Sequence, residues 1–157
     1  MIIVTVGSQN FQFNRLLKKI DELIDDGIIK DEVFAQIGVS DYRPRNFEYV
    51  DFVPQQCFLK RIKEADLVIT HAGTGAIINS IKNNRKVIGV PRLSQYGEHV
   101  DDHQLQIIKE FSELNLIEPC YRIEDLDNIL LNIEDKKYNK YISNTNKIID
   151  SIKEFIS

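Results

Sequence analysis

With 157 residues, 43% of them hydrophobic and 28% charged, the chain is long enough for one domain with a substantial core and too short for two substrate-binding domains. A net charge of −4 at pH 7, with no basic face evident, argues against nucleic acid as the main partner. Cys57 and Cys120 lack metal-ligand spacing and read as reduced structural thiols, and no apolar run approaches the roughly 20 residues of a membrane span.

Met1 leads directly into a predicted strand at 2–6, which leaves no room for a signal peptide and gives the expectation of a cytoplasmic chain. A helix over 13–26 follows, with Leu16, Leu17, Ile20, Leu23 and Ile24 on one face and Gly27 as its stop. Strands are then expected at 33–38 and 47–53, a helix at 55–64, a strand at 66–70 and a helix at 75–83. A strand at 87–90, a helix at 100–114 and a strand at 116–119 complete the pattern. Strands alternating with helices imply parallel strands joined by right-handed crossovers, hence a doubly wound, mainly parallel α/β sheet of Rossmann-like type. Such sheets bind ligands beyond the carboxyl ends of their strands. That rule selects the loops Gly7–Phe13, Phe52–Gln56, His71–Gly75 and Pro91–Gln104.

Residues 1–120 therefore form the ligand-binding domain, and 121–157 read as a helical extension of it. In the extension a short helix is expected at Ile123–Ile133, then a charged break, then a last helix from about 138. The apolar face of that last helix (Ile149, Ile152, Phe155, Ile156) either packs on its own sheet, docks a partner or makes a homo-oligomer.

Thr-His-Ala-Gly-Thr-Gly-Ala at 70–76 lies between a predicted strand and a predicted helix. Gly73 and Gly75 let the backbone approach a ligand, the helix start favours an anion, and His71 adds a donor at the same spot. Turns of this kind also serve close packing alone. Gly7-Ser8 forms a second small-residue turn on the same edge, either a plain strand–helix turn or, with the Ser8 hydroxyl, the second half of a diphosphate seat. The run Glu98-His-Val-Asp-Asp-His-Gln104 allows three readings: a metal site, a helix start capped by Asp101 and Asp102, or an edge whose carboxylates and amides grip vicinal hydroxyls. The third fits best beside a phosphate seat, and no metal is assigned.

Three motifs carry a family resemblance: Val4-Thr-Val-Gly-Ser8 with Phe11, Phe13, Arg15 and Leu16; Thr70–Gly75; and Val90-Pro-Arg92 with Glu98–Gln104. In this order and spacing the chain resembles the C-terminal, nucleotide-sugar-binding half of two-domain glycosyltransferases of the family 28 type (the GT-B architecture). It resembles bacterial exopolysaccharide and capsule transferase subunits more closely. These in turn are similar to the soluble catalytic subunit of the eukaryotic two-subunit N-acetylglucosaminyltransferase of dolichol-linked glycan assembly. The resemblance implies an inverting transfer of a hexose from a UDP-sugar donor to a lipid-diphosphate-linked acceptor, with no other cofactor; galactose is the expected sugar. It implies base stacking near Phe52 and Val53, a diphosphate held by Gly73, Thr74 and Gly75 beside His71, and sugar hydroxyls held by Gln104 with Asp102 or His103. The family's ribose-binding Glu corresponds to Asn79 here, with Glu98 placed to compensate. His99, Asp101 or Asp102, or a group on a partner, would act as general base. The acceptor half would come from a membrane-anchored partner subunit that holds the chain at the inner face of the plasma membrane. The competing expectation is a non-catalytic nucleotide- or phosphate-binding module.

Overall fold

The computed structural model describes residues 1–7, 11–98 and 102–140. Six strands form one sheet: β1 (Ile2–Thr5), β2 (Val33–Gln36), β3 (Glu48–Val50), β4 (Leu67–Thr70), β5 (Lys86–Gly89) and β6 (Glu118–Pro119). Their order is β3-β2-β1-β4-β5-β6, and every pairing is parallel. The helices are α1 (Asn14–Asp25), α2 (Gln55–Glu64), α3 (Thr74–Lys82), α4 (His103–Glu113) and α5 (Leu126–Asn132).

The continuous apolar runs of the central strands follow from burial on both faces. Successive side chains alternate across the sheet, so Ile2 and Val4 of β1 join one core and Ile3 the other; Ile69 and Val68 of β4, and Ile88 and Val87 of β5, divide the same way. One core is closed by Leu16, Leu17, Ile20 and Leu23 of α1 with Leu126 of α5. The other is closed by Ile77, Ile78 and Ile81 of α3 with Ile107, Ile108 and Phe111 of α4. Each such side chain contributes roughly 1.5–3 kcal/mol when fully buried. Gly27, at φ +77°, ends α1 where its spacing predicted the stop.

The chain winds outward from β1 through β2 to β3, then returns to the other side of β1 with β4, β5 and β6. The reversal between β1 and β4 opens a crevice at their carboxyl ends, where doubly wound sheets bind ligands.

The C-terminal extension differs from expectation. The Ile123–Ile133 helix is reduced to Leu126–Asn132, flanked by 3-10 turns at Ile123–Asp125 and Ile133–Asp135. Residues 136–140 are not helical and are tied to β6 and the turn before it; the rest of the helix expected from about 138 lies outside the described residues. The Tyr138 hydroxyl donates to Glu118 (3.0 Å), and Asn139 donates its backbone N–H to Asn115 O and its side-chain amide to Leu114 O, both at 2.8 Å. The apolar face expected at Ile149–Ile156 lies outside the described residues. Among the described residues, no helix is long and apolar enough to cross a membrane.

Candidate functional site

A cavity of about 620 Å³ occupies the crevice at the carboxyl ends of β1, β2 and β4. Thr5, Gln36 and His71 rise from the sheet; Val53, Gln55 and Phe58 form the α2 side. Gly73 to Ala76 and Asn79 bring the start of α3, and His103, Gln104 and Ile107 bring the start of α4.

Helix α3 begins one residue earlier than its predicted start at 75, with Gly73 in extended conformation at the N-cap. Its first closed backbone bond runs from Ile77 N–H to Gly73 O (3.1 Å). The amides of Thr74, Gly75 and Ala76 therefore have no acceptor within the helix, and all three residues line the cavity. A Cβ on Gly75 would meet nothing within 4 Å, so the space over this residue is open to a ligand.

Gly73 is a glycine for a different reason from the one its sequence suggests. A Cβ on it would overlap the His71 ring, and so would one on Gly7, which sits at φ +78°. The imidazole fills the space left by both glycines, 6% exposed, with Nδ1 3.3 Å from Thr70 Oγ1 and 3.4 Å from Thr5 O.

The run from 98 to 104 divides into separate parts. Gln104 is buried on the cavity wall, and its Oε1 accepts the Arg92 backbone N–H (3.0 Å). His103 stands beside it on the wall. Glu98 is not on the wall, which corrects its expected roles in gripping hydroxyls and compensating at the ribose. At 1% exposure its carboxylate takes both Arg15 Nε (3.0 Å) and Arg15 Nη2 (3.1 Å), and it accepts the Leu93 N–H. Asp102 is exposed and off the wall; its Oδ1 accepts the Ser94 N–H (2.9 Å), which fastens the loop before α4. Ser8, His99 and Asp101 lie outside the described residues. Phe52 is 52% exposed and also off the wall, whereas Val53 and Phe58 supply its apolar side.

No site role was expected for Phe58, Gln36, Arg15 or Arg92. Arg92 had one visible signal: a lone cation at the end of a strand run that folds into the core. It is fully buried, its guanidinium lies 5.4 Å from the Phe13 ring centroid, and burial lowers it to about 10 against an opposing pull from Glu98. Arg15 lies over the same Phe13 ring (5.5 Å) and over Tyr96 (4.6 Å).

Among the described residues, no group of three or more His, Cys, Asp or Glu side chains is placed to hold a metal ion. The cavity wall carries two histidines, four side-chain amides and no carboxylate among those residues, in a chain of net charge −4. A helix N-terminus facing a wall without carboxylates favours a polyanion, and the amides suit hydroxyl groups.

Residues 1–157 match the family model for the glycosyltransferase family 28 C-terminal domain. The UDP-N-acetylglucosamine transferase subunit ALG13 of Candida albicans is 28% identical over 151 residues, covering 91% of this chain and 48% of its own length. The chain thus spans about half of that relative. Among solved structures, the glycotransferase of kitacinnamycin superposes with a TM-score of 0.65 at 16% identity, over 98% of this chain and 38% of its own. The NMR solution structure of ALG13 superposes with a TM-score of 0.57 at 20% identity, over 90% of this chain and 89% of its own. At these identities the two structural likenesses speak to the fold.

Proposed function

Because the chain belongs to the glycosyltransferase family 28 C-terminal domain family, we propose that it is the donor-binding part of a UDP-sugar-dependent glycosyltransferase. The observation that carries this reading is the cavity wall: the open first turn of α3, with His71 beside it and no described carboxylate facing it. The diphosphate lies over the amides of Thr74, Gly75 and Ala76, and the base lies against Val53 and Phe58, with Phe52 at the rim. Asn79, one turn further along α3, faces the ribose. Gln104 and His103 face the sugar hydroxyls. As the UDP leaves, the helix N-terminus stabilises its growing charge, an electrostatic contribution already in place before the reaction. The general base comes from His99, Asp101 or Asp102 or from a partner.

The name of the Candida albicans relative favours N-acetylglucosamine as the transferred sugar. Galactose, with an exopolysaccharide or capsule product, is the alternative and has no support in that name. A cavity on one Rossmann-like unit leaves the acceptor to a second unit. We assign that role to a membrane-anchored partner presenting a lipid-linked acceptor at the cytoplasmic face.

Calorimetric titration of the chain with UDP, UDP-N-acetylglucosamine and UDP-galactose tests this reading. UDP binding is expected, to be lost in a folded Gly75→Val variant whose side chain fills the open space. Unchanged UDP affinity in that variant would overturn the phosphate seat. Tighter binding of UDP-galactose than of UDP-N-acetylglucosamine would reverse the choice of sugar.

A further inference from the structure

Arg92 joins two sides of the cavity. It is fully buried, the bulkiest side chain so placed among the described residues. Its Nη2 donates to Val6 O and to Phe11 O (3.0 Å), the two ends of the segment that leaves β1 and contains Gly7. Its backbone N–H donates to Gln104 Oε1 on α4. Gly7 and Gln104 both stand on the cavity wall.

The neighbours of Arg92 are held from other directions. Pro91 O accepts Arg15 Nη2 (3.3 Å), and the Leu93 N–H donates to Glu98 (3.0 Å). Three consecutive residues are thus each held by a different partner. Arginine suits the place: Nη2 reaches two carbonyls while the flat guanidinium packs near the Phe13 ring; a lysine can reach carbonyls but has no flat group to lay against the ring. The arrangement is also unfavourable by itself. Nε and Nη1 are buried without a hydrogen-bond partner among the described residues, and the bidentate carboxylate of Glu98 is taken by Arg15. An apolar side chain would fill the same volume without burying a cation, so packing alone does not account for Arg92.

We propose that Arg92 is a positioning residue for the donor: it sets the distance between the Gly7 turn and Gln104, so that the phosphate end and the sugar end of the cavity are fixed as one unit. The ligand named here rests on the donor reading above; the coupling of the two walls does not.

The test is a double-mutant cycle of Arg92→Met and Gln104→Met, read as affinity for UDP-N-acetylglucosamine by calorimetry, with Arg92→Lys as a variant that keeps the charge. Each single change is expected to weaken binding about 10-fold, the double variant to bind about as weakly as the weaker single, and Arg92→Lys to recover part of the loss. Amide NMR spectra of the ligand-free chain supply the second readout. In Arg92→Lys the Gly7 amide and the Gln104 side-chain amide are expected to shift together, while amides of α5 stay in place. Losses that multiply, or affinity within twofold of wild type in Arg92→Met, would overturn the proposal. So would a lower melting temperature with the Gly7 and Gln104 signals unmoved, since that is the mark of a purely structural residue. If the wild-type chain binds no UDP-sugar, the donor reading fails, and the ligand-free spectra still decide the coupling.

Discussion

A Cβ on Gly7 would stand 2.6 Å from Cε1 and Nε2 of His71, so the imidazole occupies the place of the glycine's missing side chain. Gly73 makes the same allowance from the turn after β4, and Gly75 makes none. Two of the three glycines of the site therefore seat a histidine, and one leaves room for a ligand. Gly7→Ala and Gly73→Ala are expected to lower stability by about 1–3 kcal/mol through the displaced ring, with added backbone strain at Gly7. Gly75→Ala, in the first turn of α3, is expected to keep or slightly raise the melting temperature and to weaken UDP binding. Thermal melts and UDP titrations of the three variants separate the roles; full UDP affinity in Gly75→Ala would sink the ligand space assigned to it.

Much of this arrangement was legible before any coordinates. The apolar runs marked β1, β2, β4 and β5 because strands buried on both faces carry no polar alternation to confuse them; the edge strands β3 and β6 were also placed, although they are only partly buried. The four loops picked out by the parallel-sheet rule do cluster at one end of the sheet, and each of them supplies part of the cavity's wall. What was not legible depended on pairings across long stretches of chain. Glu98 reads as a free carboxylate beside His99 until Arg15, 83 positions earlier, takes both its oxygens. The reason for Gly73 lies in a ring two residues away that folds back over it, and periodicity carries no trace of that. Asn139 is held by hydrogen bonds to Asn115 and Leu114, pairings that local propensity cannot anticipate.

The Glu98 correction has a direct consequence. Removing the carboxylate in Glu98→Ala takes the charged partner from the Arg15 guanidinium and the acceptor from the Leu93 N–H, and breaking a pair this deeply buried costs about 3–5 kcal/mol. Glu98→Gln keeps one acceptor oxygen and is expected to lose less. A residue that gripped ribose hydroxyls would behave in the opposite way, with an unchanged denaturation midpoint and weakened nucleotide binding. Urea denaturation of both variants, set beside their UDP affinities, distinguishes the two roles.

Cys57 is exposed and Cys120 is 1% exposed, its Sγ donating to Arg122 O (3.1 Å). A thiol-reactive dye is expected to modify Cys57 rapidly in the native chain and Cys120 only after denaturation. Burial pushes the Cys120 thiol from 9.0 up to about 12. Below pH 9 the folded and unfolded chains both carry the neutral thiol, so its contribution is fully present. Above that, the unfolded chain ionises first, and stability falls as pH rises toward 12, by at most about 1.4 kcal/mol per pH unit. Cys120→Ala is expected to show a shallower alkaline decline than the wild type in denaturation curves measured from pH 9 to 11; parallel declines would remove Cys120 as a source of that slope.

The boldest expectation concerns what the chain does alone. The cavity proposed for the donor lies on a single Rossmann-like unit whose described wall offers no carboxylate for deprotonating an acceptor hydroxyl. The purified chain is therefore expected to bind a UDP-sugar and to transfer little or none of it. Adding membranes that contain the acceptor-binding partner should restore transfer to a lipid-linked acceptor and carry the chain into the membrane fraction. Radiolabelled donor, followed into the organic phase with and without those membranes, measures both effects. Turnover by the isolated chain at ordinary enzyme rates, roughly 1–10³ per second, would show that it needs no partner. Donor binding with no transfer under either condition would favour a nucleotide-binding module over a transferase.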